Sequence, residues 1–189
     1  MTRFPINPSR QEPVYYSEID SPVGRLLLAG TAQGLTHLVF QDGAHPLVPP
    51  PHWFRDSQPL EPAIRQVQAY FAGQCLRFTI ALAPGGTPFQ RRVWQALQTI
   101  PYGHTISYGA LARMIGQPHA ARAVGAANAC NPISIIIPCH RVIGSTGKLV
   151  GYGGGLAIKE ALLALERQFA GPNDAASSRP EVTGDHDAS

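Results

Sequence analysis

The chain has 189 residues, of which 44% are hydrophobic and 14% charged, and its formal net charge is +3. That length suits one domain or two small ones, and the apolar fraction is enough to fill a core. No apolar run approaches the ~18 residues of a membrane span, and residues 1–21 lack the apolar centre of a signal peptide, so a soluble cytoplasmic protein with no membrane partner is expected.

Residues 1–12 are polar and proline-bearing and read as a loose arm. Tyr15 to Ile19 alternates and reads as a strand, followed by a turn at Ser21-Pro22-Val23-Gly24. Arg25 to Ala29 and Leu35 to Phe40 read as two further strands, joined as a hairpin through Gly30 to Gly34. The proline-rich stretch His45 to Pro59 reads as an irregular loop. Ile64, Val67 and Phe71 have helical spacing, which predicts a helix over Pro62 to Phe71. Phe78 to Leu82 reads as another strand, and Ala83-Pro84-Gly85-Gly86 as a linker between two domains, 13–82 and 87–170.

In the second half, Thr87-Pro88-Phe89-Gln90 is a helix start: a Thr N-cap, Pro at the first position and Gln three residues after the cap. Phe89, Val93, Trp94, Leu97 and Ile100 form its apolar stripe. Ser107 caps a second helix, with Leu111 and Ile115 inward and Gly116 closing it. Pro118 opens a third, running through Ala120, Ala121, Ala123, Val124 and Ala127, so the pair reads as a helix-turn-helix. Ile133 to Ile137 is a β-branched run stopped by Pro138. Gly144 to Gly155 reads as a loop or hairpin, Leu156 to Phe169 as a last helix with Leu162, Leu163 and Leu165 in the core, and 171–189 as a disordered acidic tail.

Charge is unevenly placed. Between Pro62 and Lys159 there is no acid, against nine cations: Arg65, Arg77, Arg91, Arg92, Arg113, Arg122, Arg141, Lys148 and Lys159. An acid-free basic block is the footprint of a surface facing a polyanion, most simply nucleic acid. Arg122 is the only long basic side chain on a helix otherwise made of small residues, which would let it reach into a groove.

Three cysteines, Cys75, Cys130 and Cys139, form no C-x-x-C pair, which argues against a disulfide framework, and no Cys/His spacing suits zinc, so no metal is expected. The thiolate is the reactive form of cysteine, and neighbouring cations favour it. Cys139 sits between Pro138 and His140-Arg141. Adjacent strand residues point to opposite sides, so a direct Cys139–His140 pair would require a bend.

Ile137-Pro138-Cys139-His140-Arg141-Val142 resembles the active-site signature of the methylated-DNA–protein-cysteine methyltransferases, also called 6-O-alkylguanine-DNA alkyltransferases. Thr87 to Gln90 with Val93-Trp94 resembles the family's entry helix. Ile100 to Gly103 and Ser107-Tyr108-Gly109 resemble its next loop and helix, and Ala120 to Gly125 its recognition helix. Asn131-Pro132 and the loop Tyr152 to Leu156 complete the likeness, which covers residues 87–167. The type is that of a single polypeptide without the family's zinc-binding extension.

The resemblance implies an α+β protein. A small N-terminal ribonuclease-H-like domain of sheet and helix would precede a mostly helical, winged helix-turn-helix-like domain that binds DNA and carries the chemistry. It implies that Cys139 accepts the alkyl group, that His140 acts through a water and Glu166 to draw off its proton, and that buried Asn131 holds the recognition helix against the active-site segment. Tyr108 would crowd the target phosphate and assist the leaving guanine. Arg122 would fill the gap left by the flipped base, with Ala120, Ala121, Gly125, Gln117 and Gly109 against the minor groove. Tyr108, Val142, Ser145, Tyr152 and Gly153 would line the alkyl pocket. The reaction implied needs no cofactor and consumes the protein. The DNA partner is double-stranded, and the protein is expected to be a monomer, with no obligate protein partner and room for cooperative binding.

Three rival readings are weaker. A lesion sensor related to this family lacks the acceptor cysteine, and Cys139 is present. A sequence-reading helix-turn-helix regulator would need more side chains than an Ala-rich helix offers. A cysteine hydrolase would show local signatures absent here.

Overall fold

The computed structural model describes residues 12–43 and 46–171; the arm at 1–11 and the tail from 172 onward lie outside the described residues. Strands β1 (Tyr15–Ile19), β2 (Leu26–Thr31) and β3 (Gly34–Phe40) form an antiparallel meander. A short β4 (Phe54–Arg55) runs parallel to β1, giving the order β3-β2-β1-β4. The stretch read as an irregular loop therefore holds a strand, and also a 3-10 turn at Gln58–Leu60. Segment 78–82 is not the strand expected. Thr79 bonds the side chain of Gln66 instead of a neighbouring backbone, and Leu82 alone bridges to Leu35.

Helix α1 (Glu61–Phe71) packs on this sheet through Ala63, Val67 and Tyr70. Its buried centre is one residue back from the Ile64/Phe71 stripe, both of which are only half-buried. Tyr70 is thereby driven into the interior with 0% exposure, its ring against Phe71, Phe78 and Tyr102.

Helix α2 (Pro88–Leu97) starts as its sequence demands. Thr87 Oγ1 accepts from the Gln90 amide and the Gln90 side chain accepts from the Thr87 amide, a complete capping box. Val93, Trp94, Leu97 and Ile100 are buried. Ser107 caps α3 (Tyr108–Met114), and Gly116 ends that turn at φ +73°. Helix α4 (Ala121–Ala129) begins three residues later than Pro118, because 117–120 close a separate turn through Ala120 N–H to Gln117 O. Val124, Ala127 and Asn128 face the core, and Trp94 Nε1 donates to Ala127 O at 2.9 Å, locking α4 onto α2. Two short strands, β5 (Ile106–Ser107) and β6 (Val142–Ile143), pair in parallel. They bring the start of α3 beside the end of the Cys139 segment. Helix α5 (Leu156–Phe169) closes the fold. None of the described helices is long and apolar enough to cross a membrane.

The two layers meet through backbone as well as side chains. Leu38 of β3 accepts from Ser134 N (2.8 Å) and donates to Pro132 O (2.9 Å). The sheet thus grips the segment that leads into Cys139.

Candidate active site

Residues 131–141 do not run as a strand. Asn131 Oδ1 accepts from Ile133 N at 3.0 Å, which turns the chain at once, and successive bonds from Ile136 N, Ile137 N and Cys139 N coil it tightly. Ile135 is held at φ +70°, an uncommon conformation for a β-branched residue. The two bonds to Leu38 and the Asn131 clasp fix it from both sides. Pro138 then opens a 3-10 turn, Cys139–Arg141. This is the bend that the alternation argument required, and it turns Cys139, His140 and Arg141 into one buried cluster.

Cys139 is 5% exposed. Its Sγ receives the Asn131 amide, Nδ2 to Sγ 3.0 Å, and the same Nδ2 also donates to Ile137 O at 2.8 Å. Asn131 was expected to be buried and is half-buried. The fully buried amide is its neighbour Asn128, whose Nδ2 donates to Cys139 O at 3.4 Å. Burial raises the Cys139 thiol above its ordinary value, outweighing the Asn131 hydrogen bond and the Lys159 ammonium, which pull it down. The electropositive setting read from the sequence therefore does not make a resting thiolate; the group waits as a thiol.

Glu166 is the hub. Projected from α5 with 0% exposure, it accepts five hydrogen bonds. Oε1 takes His140 Nε2 (2.8 Å), Arg141 Nη2 (2.9 Å) and the Tyr70 hydroxyl (2.9 Å). Oε2 takes Arg141 Nε (2.9 Å) and Gly103 N (3.0 Å). Burial works to raise its carboxyl, but the His140 hydrogen bond and the hydrogen bonds and charge of Arg141 prevail and hold it well below the ordinary carboxylate range. Burial lowers His140 against the pull of Glu166, so the imidazole rests neutral. An ionised Glu166 can only accept, which puts the imidazole proton on Nε2 and leaves Nδ1 as a lone pair. Among the described residues that Nδ1 has no hydrogen-bond partner.

Arg141 is 7% exposed and Lys159 0% exposed. Both were counted in the basic footprint, and neither belongs to it. Arg141 forks onto Glu166, donates to Ile100 O at 2.6 Å and lies over the Tyr102 ring. Lys159 Nζ donates to Val142 O (2.6 Å) and Val150 O (2.9 Å). The other seven cations of the block are exposed.

Tyr108 opens α3 and is half-buried beside Gly125 of α4. Burial, and then the proximity of Cys139, raise its phenol, so it stays protonated. Arg122 and Ala123 are exposed on α4, and Ala120, Ala121 and Gly125 are half-buried around them. Gln117 and Gly109 are half-buried next to this face. Among the expected pocket residues, Ser145 and Gly153 are exposed and Tyr152 is half-buried against Phe40 and His140. Val142 has 0% exposure, because pairing with Ile106 and the Lys159 bond enclose it, so its side chain lines no open surface.

Tyr70, Gly103, Asn128, Arg141 and Lys159 were missed as site residues. A signal for two of the site's charges existed: Lys159, Leu162, Leu163 and Glu166 are spaced i, i+3, i+4, i+7 and share one buried face of α5.

Two family models match the chain: "6-O-methylguanine DNA methyltransferase, DNA binding domain" over residues 88–168, and "6-O-methylguanine DNA methyltransferase, ribonuclease-like domain" over residues 14–84. A methylated-DNA–protein-cysteine methyltransferase of Methanosarcina acetivorans is 52% identical over 153 residues, covering 81% of this chain and 98% of that one. The protein of that name from Mycolicibacterium paratuberculosis is 53% identical over 159 residues, covering 83% and 94%. Among solved structures, Mycobacterium tuberculosis OGT in complex with DNA is 52% identical, with a TM-score of 0.77, covering 84% of this chain and 96% of that one.

Proposed function

The chain belongs to the methylated-DNA–protein-cysteine methyltransferase family, and from that premise we propose how its residues act. It repairs DNA by direct reversal, moving a methyl or larger alkyl group from 6-O-alkylguanine to Cys139. The alkylated oxygen lies within the base stack, so the nucleotide must be flipped out. Arg122 takes its place in the duplex. Ala120, Ala121, Gly125, Gln117 and Gly109 lie along the minor groove, and Tyr108, Ser145, Tyr152 and Gly153 receive the base. Residues 13–82 form the supporting domain and 87–170 the reacting one. The protein acts as a monomer in the cytoplasm.

Chemistry follows from the resting states. Cys139 begins as a thiol; its proton passes through a water to His140 Nδ1, whose other nitrogen is anchored by Glu166. The resulting imidazolium is stabilised by the carboxylate beside it. Sγ attacks the alkyl carbon as the carbon–oxygen bond breaks. The electron pair leaves on guanine, which takes its proton from the Tyr108 hydroxyl. A thioether does not leave again, so each molecule reacts once.

The observation that carries this reading is His140 Nε2 at 2.8 Å from Glu166 Oε1, while Nδ1, one residue from the nucleophile, has no partner among the described residues. Intact and peptide mass spectrometry after mixing with excess duplex bearing 6-O-methylguanine tests it. One added methyl on the Cys139 peptide, never more, is expected. Binding without modification would replace this reading with that of a lesion sensor.

A further inference from the structure

Glu166 receives four of its five donors from the Gly103 loop and the 3-10 turn of the reacting half, and one from elsewhere. That one is Tyr70, on α1, 96 residues away in sequence. Its hydroxyl shares Oε1 with His140 Nε2.

We propose that Tyr70 is a positioning residue for alkyl transfer: it fixes the carboxylate that fixes the His140 imidazole, and so makes the N-terminal layer part of the proton relay. The proposal rests on the function assigned above. Three features support it. Tyr70 has no exposure, so its hydroxyl cannot turn to solvent. Its ring is clamped by Phe71, Phe78 and Tyr102, which aims the hydroxyl at one point. Oε2 is held by Gly103 and Arg141, so the direction of Oε1 is settled by Arg141, His140 and Tyr70 together. A core tyrosine placed only to fill volume would be indifferent to which oxygen it met.

The sign of its effect follows from competition. Each donor on Oε1 withdraws charge that would otherwise favour a protonated imidazole. Removing the Tyr70 hydroxyl leaves His140 more basic and less firmly oriented. The ionisable groups around this centre are Tyr70, Tyr102, Cys139, His140, Arg141, Tyr152, Lys159 and Glu166, and Tyr70→Phe alters one of them without changing a charge.

The test uses the whole chain carrying Tyr70→Phe, which keeps the packed ring. Single-turnover transfer from a 6-O-methylguanine duplex should slow about tenfold, the scale of a hydrogen bond to a charged group expressed in the barrier. The acid limb of the pH profile should move to higher pH, both for transfer and for iodoacetamide modification of Cys139 read by peptide mass. In a Glu166→Gln background, Tyr70→Phe should add no further change. A lowered melting temperature with rates and pH profile superimposable on the parent's would overturn the proposal and leave Tyr70 as filling. If the iodoacetamide profile shifts as stated while the parent accepts no methyl from DNA, the positioning role stands and the assigned function fails.

Discussion

Replacing Glu166 by Gln should destabilise the fold by an amount that can be worked out in two ways. The amide offers one acceptor oxygen where the carboxylate has two. If its NH2 replaces Oε2, it confronts the Gly103 and Arg141 Nε donors; if it replaces Oε1, it confronts Tyr70, His140 and Arg141 Nη2. Removing one partner of a buried ion pair costs about 3–5 kcal/mol, and Arg141 is left as that unpaired charge. Independently, a carboxyl moved from 4.5 to about 2 adds at most ~3 kcal/mol to the folded state at neutral pH, where His140 is neutral and its share of the shift is absent. Because the folded value is the depressed one, this stability is complete above about pH 4.5 and is lost as pH falls from there through about 2. Urea unfolding at pH 7 should show the variant weaker by about 3–5 kcal/mol, a melting temperature lower by about 6–20 °C. Repeated at pH 5, 4 and 3, the two stabilities should converge as the parent loses what the variant never had. Equal stabilities at pH 7, or a constant gap down to pH 3, would refute the account of Glu166 as an ionised hub.

Four other outcomes are expected. Iodoacetamide at pH 8 should label exposed Cys130 before Cys139, which is 5% exposed and held as a thiol, and peptide mapping that found Cys139 labelled first would contradict its resting state. Arg122→Ala, on an exposed side chain, should change stability by less than about 0.5 kcal/mol. It should sharply slow transfer from duplex DNA yet leave transfer from free 6-O-benzylguanine base unaltered; an equal loss with both substrates would place Arg122 in the pocket and not in the duplex. Gly103→Ala should cost about 2–3 kcal/mol, since φ is +77° and the new Cβ would lie 2.7 Å from that of Ala170. Gly147→Ala, at φ +81° in open surroundings, should cost only about 1 kcal/mol by thermal melting.

Local rules in the sequence carried much of this. The Thr87 capping box, the Ser107 cap, the Gly116 stop and the Val93–Ile100 stripe are decided within a few residues, and each is found as read. Family likeness pointed to Cys139, His140 and Glu166, and the structure brings Glu166 to His140 across 26 residues of chain. What was illegible depends on contacts between distant segments. Asn131 and the segment's own amides coil Ile133–Ile137, but its β-branched run reads as extended, and the bonds that hold it from outside come from Leu38, almost a hundred residues earlier. Arg141 and Lys159 look like surface cations until the acceptors that bury them are known: one carboxylate and three backbone carbonyls. Ile64 and Phe71 are more apolar than Tyr70, so the spacing in α1 points to a face through them, while Ala63, Val67 and Tyr70 are the residues buried.

The hub also imposes an order in time. Glu166 stands on the last of the described helices, 25 residues after the arginine it neutralises. Chains are made from the N-terminus, so a growing polypeptide presents Cys139 while His140 still lacks its acceptor and Arg141 its counter-ion. Only the docking of α5, which completes the core, gives both groups their carboxylate.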